Sequence, residues 1–395
     1  MDYITKRRGD TLSNEPFEIT YSDIKEMHEN NLKEQLECKR IEESSQRGET
    51  YYNDGKPGKE EIKDSMAAFL KEVLYRDVKT SGFIMKYPHG TVIRQGERES
   101  YYRGENQIYP KSQPSLFRSL EKLDFDEERH LYQIVADMRI AEFRHFLYRL
   151  DIVKFWVQNY SDVLFEPLAQ HYGFETKWLD ITNDFDIALF FATCGWNEQK
   201  KCWYPLTKEQ TEKNYNSQYG VIFHIPRWQA DTQRLSASCL AENSEDRLHK
   251  EILPIGYQPF VRCQSQYAYG INMLKPFLLQ DDKSYEKLHF RHDEKLSKEV
   301  FEMMDCGKKI YPHEGLDEFH DILKSIQNAT SFSQEAFKYA FAKSSHFTDE
   351  VDCKEKLKSN KIFNKPIKIT DDEHPFKVSR QRIRRLNRKY ENFSL

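Results

Sequence analysis

The spacing of apolar residues changes several times along the chain, and each change marks a different kind of segment. Residues 1–59 are polar and charged, with a helix-compatible stretch from Ser22 to Glu43 followed by a passage rich in Ser, Gly and Lys. This pattern predicts a helical arm and linker. Directly afterwards Ile62, Met66, Phe69, Leu70 and Val73 recur at helical spacing, the pattern of an amphipathic helix that needs a partner surface. The globular part is expected to start there. The runs TVIRQ and SYYRG read as strands from their β-branched and aromatic content. Between Leu131 and Tyr160, the positions Ile134, Met138, Phe143, Phe146, Leu147, Leu150, Val153 and Val157 predict one or two amphipathic helices.

Further on, WLDIT is a short strand pattern, and Ile187 to Ala192 is apolar on every side, so the helix it forms must be buried. Asn183 is positioned to cap that helix, with Asp184 and Asp186 in the first turn where the helix dipole favours acids. Gly220 to Pro226 (GVIFHIP) is bounded by Gly and Pro and reads as a buried strand, while the polar stretch Thr207 to Ser217 before it reads as a loop. After Pro276 the chain is charged and helix-compatible, and Lys354 to Leu395 is polar and basic. The reading is therefore an α+β protein with one mixed domain over 60–330, a helical arm over 1–59 and a helical, basic extension over 331–395.

Composition adds to this picture. The apolar share is 38%, yet 26 Phe and 23 Tyr bring aromatics to 14%, so the core is expected to be rich in large rings. A formal charge of -4 excludes global attraction to nucleic acid or anionic membrane, which leaves only local patches. One such patch is C-terminal: Lys377, Arg380, Arg384, Arg385 and Arg388 follow one another with no acid between them, either to contact phosphates or simply as a solvated helix face. Seven scattered cysteines without a C-x-x-C argue against both a disulfide framework and a zinc site. No metal is expected. The opening MDYITKRRGDTLSNEP leads into no apolar leader-like stretch, and no run approaches the length of a membrane span. The expectation is a soluble, cytoplasmic protein without membrane contact.

Five blocks in order resemble the FRG domain, over roughly residues 60 to 325. They are ESYYRGE with Arg103 and Gly104, QPSLFRSL, LAQHYGFETKWLDITNDFDIALFFA, RCQSQYAY and IYPHEGLDEF. Lys177 and Trp178 stand where the family usually has Arg and Leu. A strand with small polar groups followed by a buried A-x-x-F-A helix also resembles the Ser-Thr-Ser element of ADP-ribosyltransferases. In that alignment Asp180 and Thr182 replace two serines, Arg103 is the strand arginine, and Gln264-Ser265-Gln266 stands for Gln-x-Glu. The resemblance implies an ADP-ribosyltransferase-like domain with a split antiparallel sheet and flanking helices, and NAD as substrate. It also implies a role as a bacterial toxin or antiphage effector that modifies a protein or nucleic acid, or cleaves NAD.

The resemblance assigns roles residue by residue. Arg103 grips the pyrophosphate, since a guanidinium offers a fixed fork of donors. Thr182 or Asp180 fixes the nicotinamide ribose. Tyr101, Tyr102 or Trp178 supplies an aromatic face for a base, His171 bonds a ribose hydroxyl, and Gly104 and Gln264 count among the cofactor-binding residues. Gln266 occupies the catalytic Glu position, where a neutral amide can hold a hydroxyl but cannot offset a developing cation. Either Asp180 supplies the missing charge, or the domain is a silent nucleotide- or nucleic-acid-binding module acting through protein partners. Each residue also has a structural reading: Arg103 as an ion-pair partner, with Asp180 the candidate acid; Asp180 as a cap or structural partner; His171, Gln266, Tyr101 and Tyr102 as core, with strand alternation sending one tyrosine in and the other out.

Overall fold

The computed structural model describes residues 17–18, 50–51, 57–58, 83–87, 90–94, 100–159, 163–226, 249–255, 260–273, 279–281, 286–312, 315–372 and 375–391. The helical readings over Ser22 to Glu43 and over Ile62 to Val73 lie outside these residues. The described chain is a mixed α+β fold around one seven-stranded sheet. Its strands are β1 (Phe17–Glu18), β2 (Ser100–Glu105), β3 (Trp178–Thr182), β4 (Tyr219–Pro226), β5 (His249–Pro254), β6 (Ala268–Met273) and β7 (Glu286–Arg291). They lie in the order β1, β7, β4, β2, β3, β6, β5. Every neighbouring pair is antiparallel except β1 with β7.

The sheet is nearly divided in the middle. β4 pairs with β2 over six positions and β6 with β3 over five, but β2 and β3 share only the register pair Tyr102 with Thr182. Beyond that pair the two strands part. Both faces are nevertheless covered, as the apolar runs require. On one face Tyr101, Leu179, Ile181, Val221, Phe223 and Ile271 pack with Phe117 of α1 (Ser115–Leu120). On the other, Tyr102, Ile222 and Phe290 pack against α5 (Phe185–Thr193), the helix that the sequence reads as apolar all round. That helix runs so close to β2 that a Cβ on Gly104 would collide with the carbonyl of Ala188. Its N-cap is Asp184, which accepts from the amides of Asp186 and Ile187, one residue later than the expected Asn183. Thr182, the last residue of β3, holds this turn: its hydroxyl accepts the Asp184 amide at 3.0 Å.

The predicted helices over Leu131 to Tyr160 are α2 (Asp126–Leu147) and α3 (Asp151–Asn159). Three acids open α2 and Arg144 and His145 close it, as the dipole favours. α2 is buried on two sides. Ile140, Phe143, Phe146 and Leu147 pack towards α4 (Phe165–His171) and α6 (Val261–Ser265), whereas Leu131, Ile134, Val135 and Met138 pack under the C-terminal layer. α7 (Glu294–Met303) and α8 (His320–Gln327) follow the sheet. The C-terminal layer is α9 (Gln334–Lys343), α10 (Glu350–Ser359) and α11 (Arg380–Glu391), with a parallel pair of strands, Ser331–Ser333 and Lys368–Thr370.

Two readings are corrected. The stretch Thr207 to Ser217 holds a short helix at Lys208–Thr211, closed by a capping box between Thr207 and Gln210. The region after Pro276 is not all helical, because EKLHFR forms β7, whose Leu288 and Phe290 alternate into the core. Among the described residues no helix is long and apolar enough to cross a membrane.

Candidate functional site

The point where β2 and β3 part is filled by Arg103. With no backbone ladder to close the gap there, its Nη1 donates to the carbonyl of Asp180 at 2.8 Å. Its Nε donates to Glu105 Oε1 at 3.1 Å, and Glu105 Oε2 accepts the Ser112 hydroxyl at 2.6 Å. The carboxylate partner of Arg103 is therefore Glu105, two residues on along the same strand face, and not the side chain of Asp180. Among the described residues the Nη2 donors of Arg103 remain unengaged, and the side chain is 22% exposed. Tyr109 and Arg118 stand close by: burial first and then the Glu105 charge push the Tyr109 hydroxyl up, while burial and then Arg103 push the Arg118 guanidinium down.

Asp180 projects from the opposite face of β3, since Leu179 and Ile181 on either side point into the other core. There it meets His171 at the end of α4, with Nε2 3.2 Å from Asp180 Oδ1. The imidazole is buried, while the Asp180 side chain is 37% exposed. On the far side of the ring, Nδ1 lies 3.1 Å from Gln266 Oε1, and Gln266 Nε2 donates to the carbonyl of Ile310 at 3.2 Å. A carbonyl can only accept, so this bond fixes which way the amide points; its oxygen then faces Nδ1, which must carry a proton. Nε2 is the nitrogen left to exchange a proton with Asp180. The main chain beneath the histidine is held as well: Arg262 donates to the His171 carbonyl at 2.9 Å, with its guanidinium between the rings of Tyr172 and Tyr311 at 4.5 and 4.0 Å.

Thr182 closes this side. Its hydroxyl donates to the carbonyl of Gln266 at 2.8 Å, with Tyr267 O at 3.3 Å, and accepts from Asp184 N at 3.0 Å. Those bonds pin a turn in which Tyr267 adopts φ of 44°, a left-handed conformation that a bulky side chain rarely takes. Cys263 is buried beside it, its thiol pushed up by burial, with Arg262 opposing and Asp180 adding to the effect.

The expected site residues thus divide. Asp180, His171, Gln266 and Thr182 come together on one face of the sheet, whereas Arg103 reaches the parting of the strands from the other face and, of these four, meets only the Asp180 main chain. Tyr102 does not join them: it is buried on α5, edge-on to Phe185 and stacked on His224. Tyr101 is buried on the other face against Tyr269, so both tyrosines are core because both faces are covered. Gly104 serves the close approach of α5. Trp178 is buried two residues before Asp180, with its indole N–H towards Glu166 at 3.4 Å. Gln264 lies within α6, and the turn that carries Gln266 follows that helix. Glu105, Ser112 and Arg262 were not singled out from the sequence. Glu105 was legible in principle, since a carboxylate at i+2 on a strand shares the face of Arg103.

The stretch from 98 to 201, which spans β2, β3, α1 to α5 and the strand Cys194–Asn197 after α5, matches the FRG domain. The chain carries an FRG domain. The match takes in three of the five blocks, and the blocks containing Arg262 to Tyr269 and Ile310 to Phe319 lie beyond it. Within the FRG domain fall Arg103, Glu105, His171, Asp180 and Thr182, whereas Gln266 and Ile310 reach the site from outside the matched stretch. No curated protein and no solved structure matches the chain.

Proposed function

We propose that the FRG domain of this protein is an ADP-ribosyltransferase-like catalyst that takes NAD as its substrate, with Asp180 as the catalytic carboxylate. One observation carries this reading: a partly exposed carboxylate, Asp180, and a guanidinium, Arg103, whose Nη2 donors are unengaged among the described residues, are joined through the Asp180 main chain at the parting of the sheet. In the reaction the bond between ribose C1′ and the nicotinamide nitrogen breaks, and its electrons leave with neutral nicotinamide. The sugar becomes cationic, and the Asp180 carboxylate offsets that charge. A hydroxyl or amine of a macromolecule, or water, then bonds to C1′ and loses its proton, which Asp180 and His171 Nε2 are placed to receive. Arg103 Nη2 takes a phosphate oxygen. Gln266 acts here as a positioning residue, because its amide is committed to His171 and Ile310. The biological role proposed is that of a cytoplasmic toxin or antiphage effector.

The competing reading is a catalytically silent module that binds a nucleotide or nucleic acid and signals through protein partners. It is favoured by the internal commitment of the Thr182 hydroxyl and the Gln266 amide, and by Arg380, Arg384 and Arg385, which are exposed on α11. Incubating the protein with tagged NAD and a bacterial lysate separates the two. Label on a macromolecule, absent with Arg103→Ala, supports transfer, and nicotinamide without label supports hydrolysis. Neither product from folded protein removes the catalytic reading.

A further inference from the structure

A cavity of about 680 Å³ lies between the start of β3, α2, α4 and α9, where the FRG domain meets the C-terminal layer. It borders the site above but is not part of it: Glu166, on its wall, is five residues before His171 on α4, about 8 Å along a helix. Its walls are apolar in part, with Leu116, Phe165, Trp178 and Met273, and ionic in part.

Three acids, Asp137, Glu166 and Glu175, and three bases, Arg144, Lys177 and Lys343, line it, and they pair unevenly. Lys343 Nζ bridges Asp137 at 2.7 Å and Glu166 at 2.6 Å, and Glu166 also accepts from Tyr339 and Trp178. Glu175, also on the wall, is taken by Ser119, Tyr132 and Arg139. Two cations remain. Lys177 is half-buried, and Arg144 lies over the rings of Tyr148 and Phe165 at 5.5 and 5.4 Å. Among the described residues neither reaches a carboxylate within ion-pair distance. Burial is the main influence on the Lys177 ammonium and pushes it down; Asp137 and Glu166 oppose this from beyond contact distance, and Lys343 adds to it. An ammonium desolvated without a partner is costly, and an incoming anion removes that cost. The volume suits one small molecule.

We propose that this cavity is a binding site for an organic monoanion with a flat apolar body, the anionic group held by Lys177 and Arg144 and the body lying along Phe165 and Trp178. A ligand there touches α2, α4, β3 and α9 together, so it ties the C-terminal layer to the FRG domain.

The probes are 2-naphthoate and its neutral counterpart 2-naphthamide, titrated calorimetrically into the full-length protein. Naphthoate is expected to bind one-to-one with Kd of about 1 mM or tighter, and about tenfold more tightly than the amide. Lys177→Met and Arg144→Gln are each expected to weaken naphthoate about tenfold and leave the amide unchanged. Arg144 is exposed, so its variant keeps the fold even where Lys177→Met does not. Asp180→Asn should leave naphthoate binding as it is, which separates this site from the proposed reaction. Equal affinity for the two probes, no naphthoate binding, or full affinity in Arg144→Gln would overturn the proposal.

Discussion

Gln266 is the residue whose role depends most on its neighbours. From the sequence it stands where a transferase has its catalytic Glu, which invites the idea that restoring Glu restores activity. Its surroundings point the other way. In Gln266→Glu the Ile310 carbonyl loses its donor and faces a carboxylate instead, so the variant should be less stable by about 1–3 kcal/mol and release nicotinamide no faster than the parent. Chemical denaturation and a nicotinamide assay on the same preparation check both halves, and a faster enzyme would return the catalytic role to position 266. Gly104 makes a second prediction at this scale. Because a methyl group there meets helix backbone, which cannot swing aside, Gly104→Ala should cost about 3 kcal/mol or more in a denaturant melt. Arg103, His171, Asp180 and Thr182 were legible as candidates from the ordered blocks that carry them, but not how they are arranged in space. The partners of Arg103 and Gln266 were not, because hydrogen bonds to backbone carbonyls leave no trace in residue types.

At the scale of elements, apolar patterns were most readable where both faces are buried. WLDIT, GVIFHIP and the helix after Asp184 all match their structures, since continuous or alternating apolar runs have few other solutions. EKLHFR was missed: four of its six residues are polar, and only its place between β4 and β1 makes it a strand. The contact of α9 with α2 carries a pH dependence. His145 on α2 lies 3.6 Å from Glu142 and 3.1 Å from Glu335 of α9, and its titration is raised chiefly by Glu142, with Glu335 adding against the effect of burial. A histidine whose folded value lies above its unfolded value of about 6.5 stabilises fully below that pH and loses the contribution as pH rises through the folded value. Melting temperatures of the parent and of His145→Gln should thus differ most at about pH 5.5 and converge at about pH 8.5. The anchor of α11 behaves oppositely. Arg382 holds the Asp321 carboxyl down at about 2 by bidentate hydrogen bonds, so its support is present above about 3.9 and fades as pH falls towards 2.

Across the whole molecule, α2 is the shared beam. One of its sides packs under the helices behind the site and the other under Phe332, Phe337 and Leu357 of the C-terminal layer, while Val378 and Leu386 return to the first cluster. The extension read from the sequence as starting at 331 is therefore built into the same cores as the FRG domain. Phe337→Ala should lower stability by about 3–5 kcal/mol, and unfolding followed at the tryptophans around Trp203 should move with the far-ultraviolet signal in one transition. Two separated transitions would show that the layers fold independently.

The central claim is that Asp180 supplies the charge that Gln266 cannot. It is tested most directly by nicotinamide release from NAD by the parent protein and by Asp180→Asn, with thermal melts run alongside. The account predicts release by the parent, a loss of about a hundredfold or more in the variant, and melting temperatures that agree closely, because the side chain is partly exposed. Undiminished release from Asp180→Asn, or none from the folded parent, would contradict it.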